Sequence, residues 1–198
     1  MTERLDPKRV ALLLLDFQVG IMSLLPENNP VLDNTASAIA IARKHGVQVA
    51  YIRVSLDEAE VQAVPETNFS FARFKQSKEM LARVLPDSPT SQFHPKVAPK
   101  DGDLVNRKIR AGPFMVNPSK TMLDDFTAKG INVVFLAGVS TSGAVLSSLR
   151  QLWDLDYGLF VLEDCCADPD EEVHRILCEK VFQRSAKVIK SSELDSLF

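Results

Sequence analysis

Four short stretches of this 198-residue chain set reactive side chains at the ends of apolar runs. The run Val10–Phe17 carries Asp16 near its end, and Gln18 follows. Leu104–Arg107 leads into Lys108, Ile109 and Arg110. Ile131–Val139 gives way to Ser140, Thr141, Ser142, Gly143 and Ala144, and Gly158–Glu163 to Asp164, Cys165 and Cys166. A carboxylate and a lysine offer proton transfer. A glycine-bounded turn that opens a helix offers backbone N–H groups and the positive end of a dipole, which favour an anion or a developing oxyanion. Ordinary readings stand beside these. Asp16 also reads as a strand-end carboxylate capping a loop, Lys108 as a solvated lysine, and Gly138 and Gly143 as turn punctuation.

These groups meet only if the runs are strands of one sheet with their ends on a common edge. Val10–Phe17 and Ile131–Val139 are apolar throughout, as strands covered on both faces are. Val47–Val54, Leu104–Arg107, Gly158–Glu163 and Ala186–Ile189 supply four more. Helices are predicted over Asn34–His45, closed by Gly46, and from the capping stretch Asn117, Pro118, Ser119 to Lys129. A third covers Ser142–Leu155, with Val145, Leu146, Leu149, Leu152 and Trp153 on one face. A fourth starts at Asp168 as the capping carboxylate, with Pro169 in first position and acids facing the dipole, and reaches about Phe182. This alternation predicts an α/β fold: a parallel six-stranded sheet with helices on both faces and right-handed crossovers. Ligands then sit beyond the carboxyl ends of the strands, where strand order reverses. Ser55–Lys100 holds Pro65, Pro86, Pro89, Pro95 and Pro99 and lacks a strand pattern. It reads as a lid-like excursion over the sheet edge with one short helix, Lys75–Val84.

The length predicts one domain over residues 1–198. A composition of 45% hydrophobic and 25% charged residues is that of an ordinary soluble protein. Lys plus Arg total 23 against 26 Asp plus Glu, a formal charge of −3, so no basic footprint for nucleic acid or an anionic membrane exists. No apolar run approaches a membrane span. A polar start and three cysteines without a pairing framework point to the cytoplasm. Asp16–Gly20 follows the first strand instead of G-x-G-x-x-G, which sets aside a dinucleotide site.

The combination of Leu15, Asp16, Phe17, Gln18, then Val105–Lys108 with Gly112–Phe114, then Gly138–Thr141, then Asp164–Ala167, resembles the isochorismatase-like cysteine hydrolase family. That family contains nicotinamidases, N-carbamoylsarcosine amidases and isochorismatases. The resemblance runs from about Val10 to about Val188 and implies a Rossmann-like α/β sandwich. It also implies a catalytic aspartate at Asp16 and a catalytic lysine at Lys108. The family's cysteine lies in a stretch resembling G-V-x-T-x-x-C-V, where this chain has Ala144. The resemblance further implies that Phe17, Gln18, Phe114, Ser140 and Thr141 bind substrate, and that the Val139–Ser140 peptide is cis. It implies a homo-oligomer, dimer or tetramer, acting on a small molecule. No metal or other cofactor is expected, since His94 stands alone near the lid.

A methyl group cannot attack a carbonyl, so three routes stay open. One is a relocated nucleophile: Ser147 and Ser148 lie one turn along the helix, Ser140–Ser142 lie in the turn, and Cys165 and Cys166 end the next strand. A second needs no nucleophile. Asp16 acts as a general acid on a vinyl ether of the isochorismate type, with Arg73 in the lid, and Arg107 or Arg110, binding the substrate's carboxylates. The serine-rich turn Ser140–Ser142 replaces the histidine-containing turn of typical isochorismatases. The third is a non-catalytic binding homologue, or an engineered exchange of cysteine for alanine. The acid-catalysed route is the favoured expectation.

Overall fold

Val10–Leu15 is buried at every residue because strands flank it and helices cover both its faces. The computed structural model describes residues 4–115 and 122–198. Six parallel strands form one sheet in the order β3-β2-β1-β4-β5-β6. They are β1 (Val10–Leu15), β2 (Gln48–Val54), β3 (Leu104–Lys108), β4 (Val133–Val139), β5 (Gly158–Ala167) and β6 (Lys187–Ile189). Strand order therefore reverses between β1 and β4, which pair from Val10 with Val133 to Leu15 with Gly138. The ends of those two strands carry Asp16 and the Ser140–Ala144 turn.

Among the described residues, eight α-helical segments surround the sheet. They are α1 (Val19–Met22), α2 (Val31–His45), α3 (Glu58–Gln62), α4 (Phe69–Ala72), α5 (Lys78–Ala82), α6 (Met122–Lys129), α7 (Leu146–Trp153) and α8 (Glu171–Ile176). Alternate residues of each inner strand feed two cores. Leu12, Leu14, Val49, Tyr51, Phe135 and Ala137 pack on α2 through Val31, Ala38, Ile39 and Ala42. Leu13, Leu15, Ala50, Ile52, Val134 and Leu136 pack on α6 and α7 through Met122, Phe126, Leu149 and Leu152. Gly46 closes α2 at φ +74°, the left-handed cap conformation.

Several boundaries differ from the sequence reading, each for a local reason. The predicted cap at Asn117–Ser119 lies outside the described residues. The fourth helix starts at Asp170, whose carboxylate accepts from the N–H groups of Glu172 and Val173, so Asp168 is released from the capping role. The continuation of α8 loosens into a π turn at Leu177–Val181. Likewise the helix expected from Ser142 opens as a π turn, Thr141–Val145, before α7. Between the pairs Leu136–Val161 and Gly138–Cys166, β4 advances two residues while β5 advances five. That irregularity carries β5 on to Ala167, past the predicted end at Glu163.

The lid is more structured than its prolines suggest. Side-chain caps from Asp57, Asn68 and Ser77 start α3, α4 and α5, where the sequence reading had one helix over Lys75–Val84. Val54, Leu56, Val61, Val64, Ala72, Phe74 and Val84 form a third core beneath them. The lid is also tied to the chain after β1, where Gln18 and Phe93 bridge as antiparallel strands do.

Candidate active site

The apolar strand β1 ends at a residue that turns against its own preference. Asp16 has φ +58°, a left-handed backbone that an aspartate tolerates better than most residues. This turn points its carboxylate across the ends of β2 and β3. One oxygen accepts the Val54 N–H at 2.9 Å, and the other lies 2.6 Å from the Lys108 ammonium. Lys108 is 1% exposed, so it is no solvated lysine, and it also donates to the Ala111 carbonyl at 2.8 Å. Burial pushes the Asp16 carboxyl above its ordinary range, while the Lys108 ammonium and the Val54 N–H pull it down.

On the other side of the strand-order reversal, Gly138 fits because nothing larger would. A Cβ there would lie 2.7 Å from the Leu15 Cβ and 2.7 Å from the Leu15 carbonyl oxygen. The Val139–Ser140 peptide is cis, as the resemblance implied. The Ser140 hydroxyl accepts the Gly143 N–H at 3.1 Å, and Thr141 shares a 2.8 Å hydrogen bond with His174 Nδ1. Ser142 donates its N–H and its hydroxyl to one oxygen of Asp168, at 2.8 and 2.7 Å. The turn is thus held from the β5–α8 side by Asp168 and His174.

Asp16, Lys108, Arg73, Ser140 and Ala144 line a single cavity of about 370 Å³, walled by Ile21, Leu24, Phe71, Phe74 and Val139. Other expected binding residues lie elsewhere. Phe17 is fully buried in the α2-side core. Gln18 is fully buried with its amide donating to Val54 and Ser91 carbonyls and accepting the Val54 N–H, so it anchors the lid. Phe114 packs in the opposite core and its N–H donates to Gln151. Thr141 is buried against His174. Arg107 makes a two-pronged contact with Glu60 at 2.7 and 2.9 Å, and Arg110 donates to the Ile109 carbonyl over the Phe71 ring. Neither lines the cavity.

Of the relocated-nucleophile positions, Ser140 and Ser142 line the cavity, while Ser147, Ser148, Cys165 and Cys166 do not. Burial pushes the Cys165 and Cys178 thiols up to about 12, and the Cys166 thiol well above its ordinary value. None of them is a thiolate near neutral pH. Ser148 is fully buried, with no hydrogen-bond partner for its hydroxyl among the described residues. The sequence reading missed Asp168 and His174 at this site, because Asp168 read as a helix cap and His174 falls inside the helix predicted to reach about Phe182.

The isochorismatase domain family model matches residues 10–193. The chain belongs to the isochorismatase family. Among curated relatives, the uncharacterized isochorismatase family protein YecD of Escherichia coli O157:H7 is 29% identical over 96% of this chain and 96% of its own length. The ureidoacrylate amidohydrolase RutB of Acinetobacter baylyi is 26% identical over 87% of this chain and 76% of its own. Among solved structures, a cysteine hydrolase from Pseudomonas syringae pv. phaseolicola superposes with a TM-score of 0.83 at 17% identity, covering 99% of this chain and 97% of that one. This isochorismatase-family hydrolase thus shares the α/β architecture of its relatives end to end. Among its described residues no helix is long and apolar enough to cross a membrane.

Proposed function

We propose that this hydrolase cleaves a small vinyl ether of the isochorismate type without a covalent nucleophile, with Asp16 as general acid and Lys108 as its partner. The observation that carries the reading is the buried Asp16 carboxyl, raised in proton affinity, in one cavity with the Ala144 methyl. In this scheme Asp16 gives its proton to the terminal enol carbon. The ether oxygen shares the resulting positive charge, water adds to the cationic carbon, and the hemiketal collapses to pyruvate and an alcohol.

The acid must hold its proton beside an ammonium. Lifting a carboxyl by about 3 units costs roughly 4 kcal/mol. Burial works in that direction, and a bound carboxylate would offset the lysine. Arg73 is suited to hold that carboxylate. It lines the cavity and stands 5.5 Å from the Phe74 ring, and no ion pair occupies it among the described residues. The test is pyruvate release from isochorismate by the wild-type protein and Asp16→Asn, with uncatalysed breakdown subtracted. Release that depends on Asp16 supports the reading; none above background overturns it.

A second reading, a non-catalytic binding homologue, draws on the 2.6 Å contact by which Lys108 favours an ionised Asp16. In that case Asp16→Asn leaves ligand affinity nearly intact. The exchange of a catalytic cysteine for alanine has its own check, amide hydrolysis by Ala144→Cys. Assembly as a homo-oligomer, dimer or tetramer, and a cytoplasmic setting belong to the same proposal. Light scattering on the purified protein tests the assembly.

A further inference from the structure

We propose that Ser142 and Asp168 form a nucleophile–base pair at the lip of the cavity, a serine-esterase centre for small activated esters that is distinct from the Asp16 chemistry. Both residues line the cavity, and the Ser142 hydroxyl donates to Asp168 Oδ2 at 2.7 Å. A nucleophile and a base at that separation, beside a substrate-sized hollow, are the parts covalent catalysis needs. Ser142 is exposed, so its remaining lone pairs are open to a substrate.

Asp168 is available for the role. Asp170 caps α8, and no ion pair holds Asp168 among the described residues. Its other oxygen accepts only a long 3.3 Å bond from the Asp170 N–H. Ser142 also sits in the turn that continues into α7, whose positive end favours negative charge developing on an attacked carbonyl oxygen. Ile21, Leu24, Phe71 and Phe74 give a small acyl or aryl group an apolar wall.

The step balances without another reactant. Ser142 Oγ bonds to the ester carbonyl carbon and its proton passes to Asp168. The tetrahedral adduct then expels an alkoxide, which takes that proton back from Asp168, or a phenolate, while Asp168 releases the proton to solvent; either way acyl-Ser142 and an ionised Asp168 remain. Water next attacks that ester, gives a proton to Asp168 and displaces Ser142 Oγ, which recovers a proton as the carboxylic acid leaves.

The experiment is p-nitrophenyl acetate hydrolysis by the wild-type protein, Ser142→Ala and Asp168→Asn. p-Nitrophenolate is followed, and acid-quenched samples are mapped by peptide mass spectrometry. Expected is release above the buffer rate with an acetyl group on Ser142. Ser142→Ala loses both. Asp168→Asn, whose side-chain oxygen can still accept the Ser142 N–H, lowers the rate about tenfold or more. Equal release by all three proteins overturns the proposal, as does acetylation only at lysines or the N-terminus. Asp168→Asn with the wild-type rate overturns it too. Pyruvate release plays no part in this assay, so this proposal and the acid-catalysis reading fail separately.

Discussion

Lys108 lies 2.6 Å from Asp16, yet the two residues end strands that never touch: β2 stands between β1 and β3. Both side chains therefore reach over the end of β2, and the Val54 N–H at that end completes the contact. Charge compensation in this buried pair depends on both members, because removing one strands the other in a dry site.

Asp16 has a raised proton affinity in the folded protein, so its contribution to stability is full below its unfolded value of 3.8 and is lost as pH rises through the folded value. Lys108 limits that rise. Lys108→Met lifts the folded value further and leaves a buried carboxylate uncompensated. The variant is expected to lose about 3–5 kcal/mol at pH 7. Its deficit relative to wild type narrows as the pH is lowered toward 4, which urea denaturation at several pH values checks.

Gly138→Ala places a methyl against the Leu15 side chain and carbonyl. Overpacking at a strand pair costs about 1–3 kcal/mol. Because Leu15 precedes Asp16, the same variant is expected to lose Asp16-dependent turnover by more than its stability loss explains. Thermal unfolding and pyruvate release, measured together, separate the two effects.

All three cysteines are buried, with thiols pushed far above the neutral range. Iodoacetamide at pH 8 is expected to modify none of them in the native protein and all three in denaturant, with turnover unchanged after native treatment. Rapid labelling of a native cysteine, with loss of activity, would contradict this account of the thiols.

Gln18→Ala removes the amide that bridges the end of β2 and the Ser91 carbonyl of the lid. Unpaired buried backbone groups cost about 1–3 kcal/mol each. The expected result is earlier proteolytic cleavage within residues 55–100, with the sheet still folded by circular dichroism.

The strands, their parallel arrangement and the placement of Asp16 and Lys108 at strand ends were legible because apolar runs and glycine stops are local signals. The lid's short helices were harder to read, since each rests on one capping side chain and on the core formed beneath it. Phe17 shows another limit. A side chain's direction follows the backbone turn before it, and the left-handed Asp16 sends Phe17 into the core instead of the cavity.

Asp168 marks the division most clearly. Its sequence setting, ahead of a proline and three acids, is that of a helix cap. Only the irregular pairing of β4 with β5 decides that Asp168 arrives beside Ser142 while Asp170 takes the cap. The sequence alone determined which side chains stand at strand ends, because that information is carried by neighbours along the chain. The tertiary structure decided which of them share a cavity, because strand order and register join residues from distant parts of the chain.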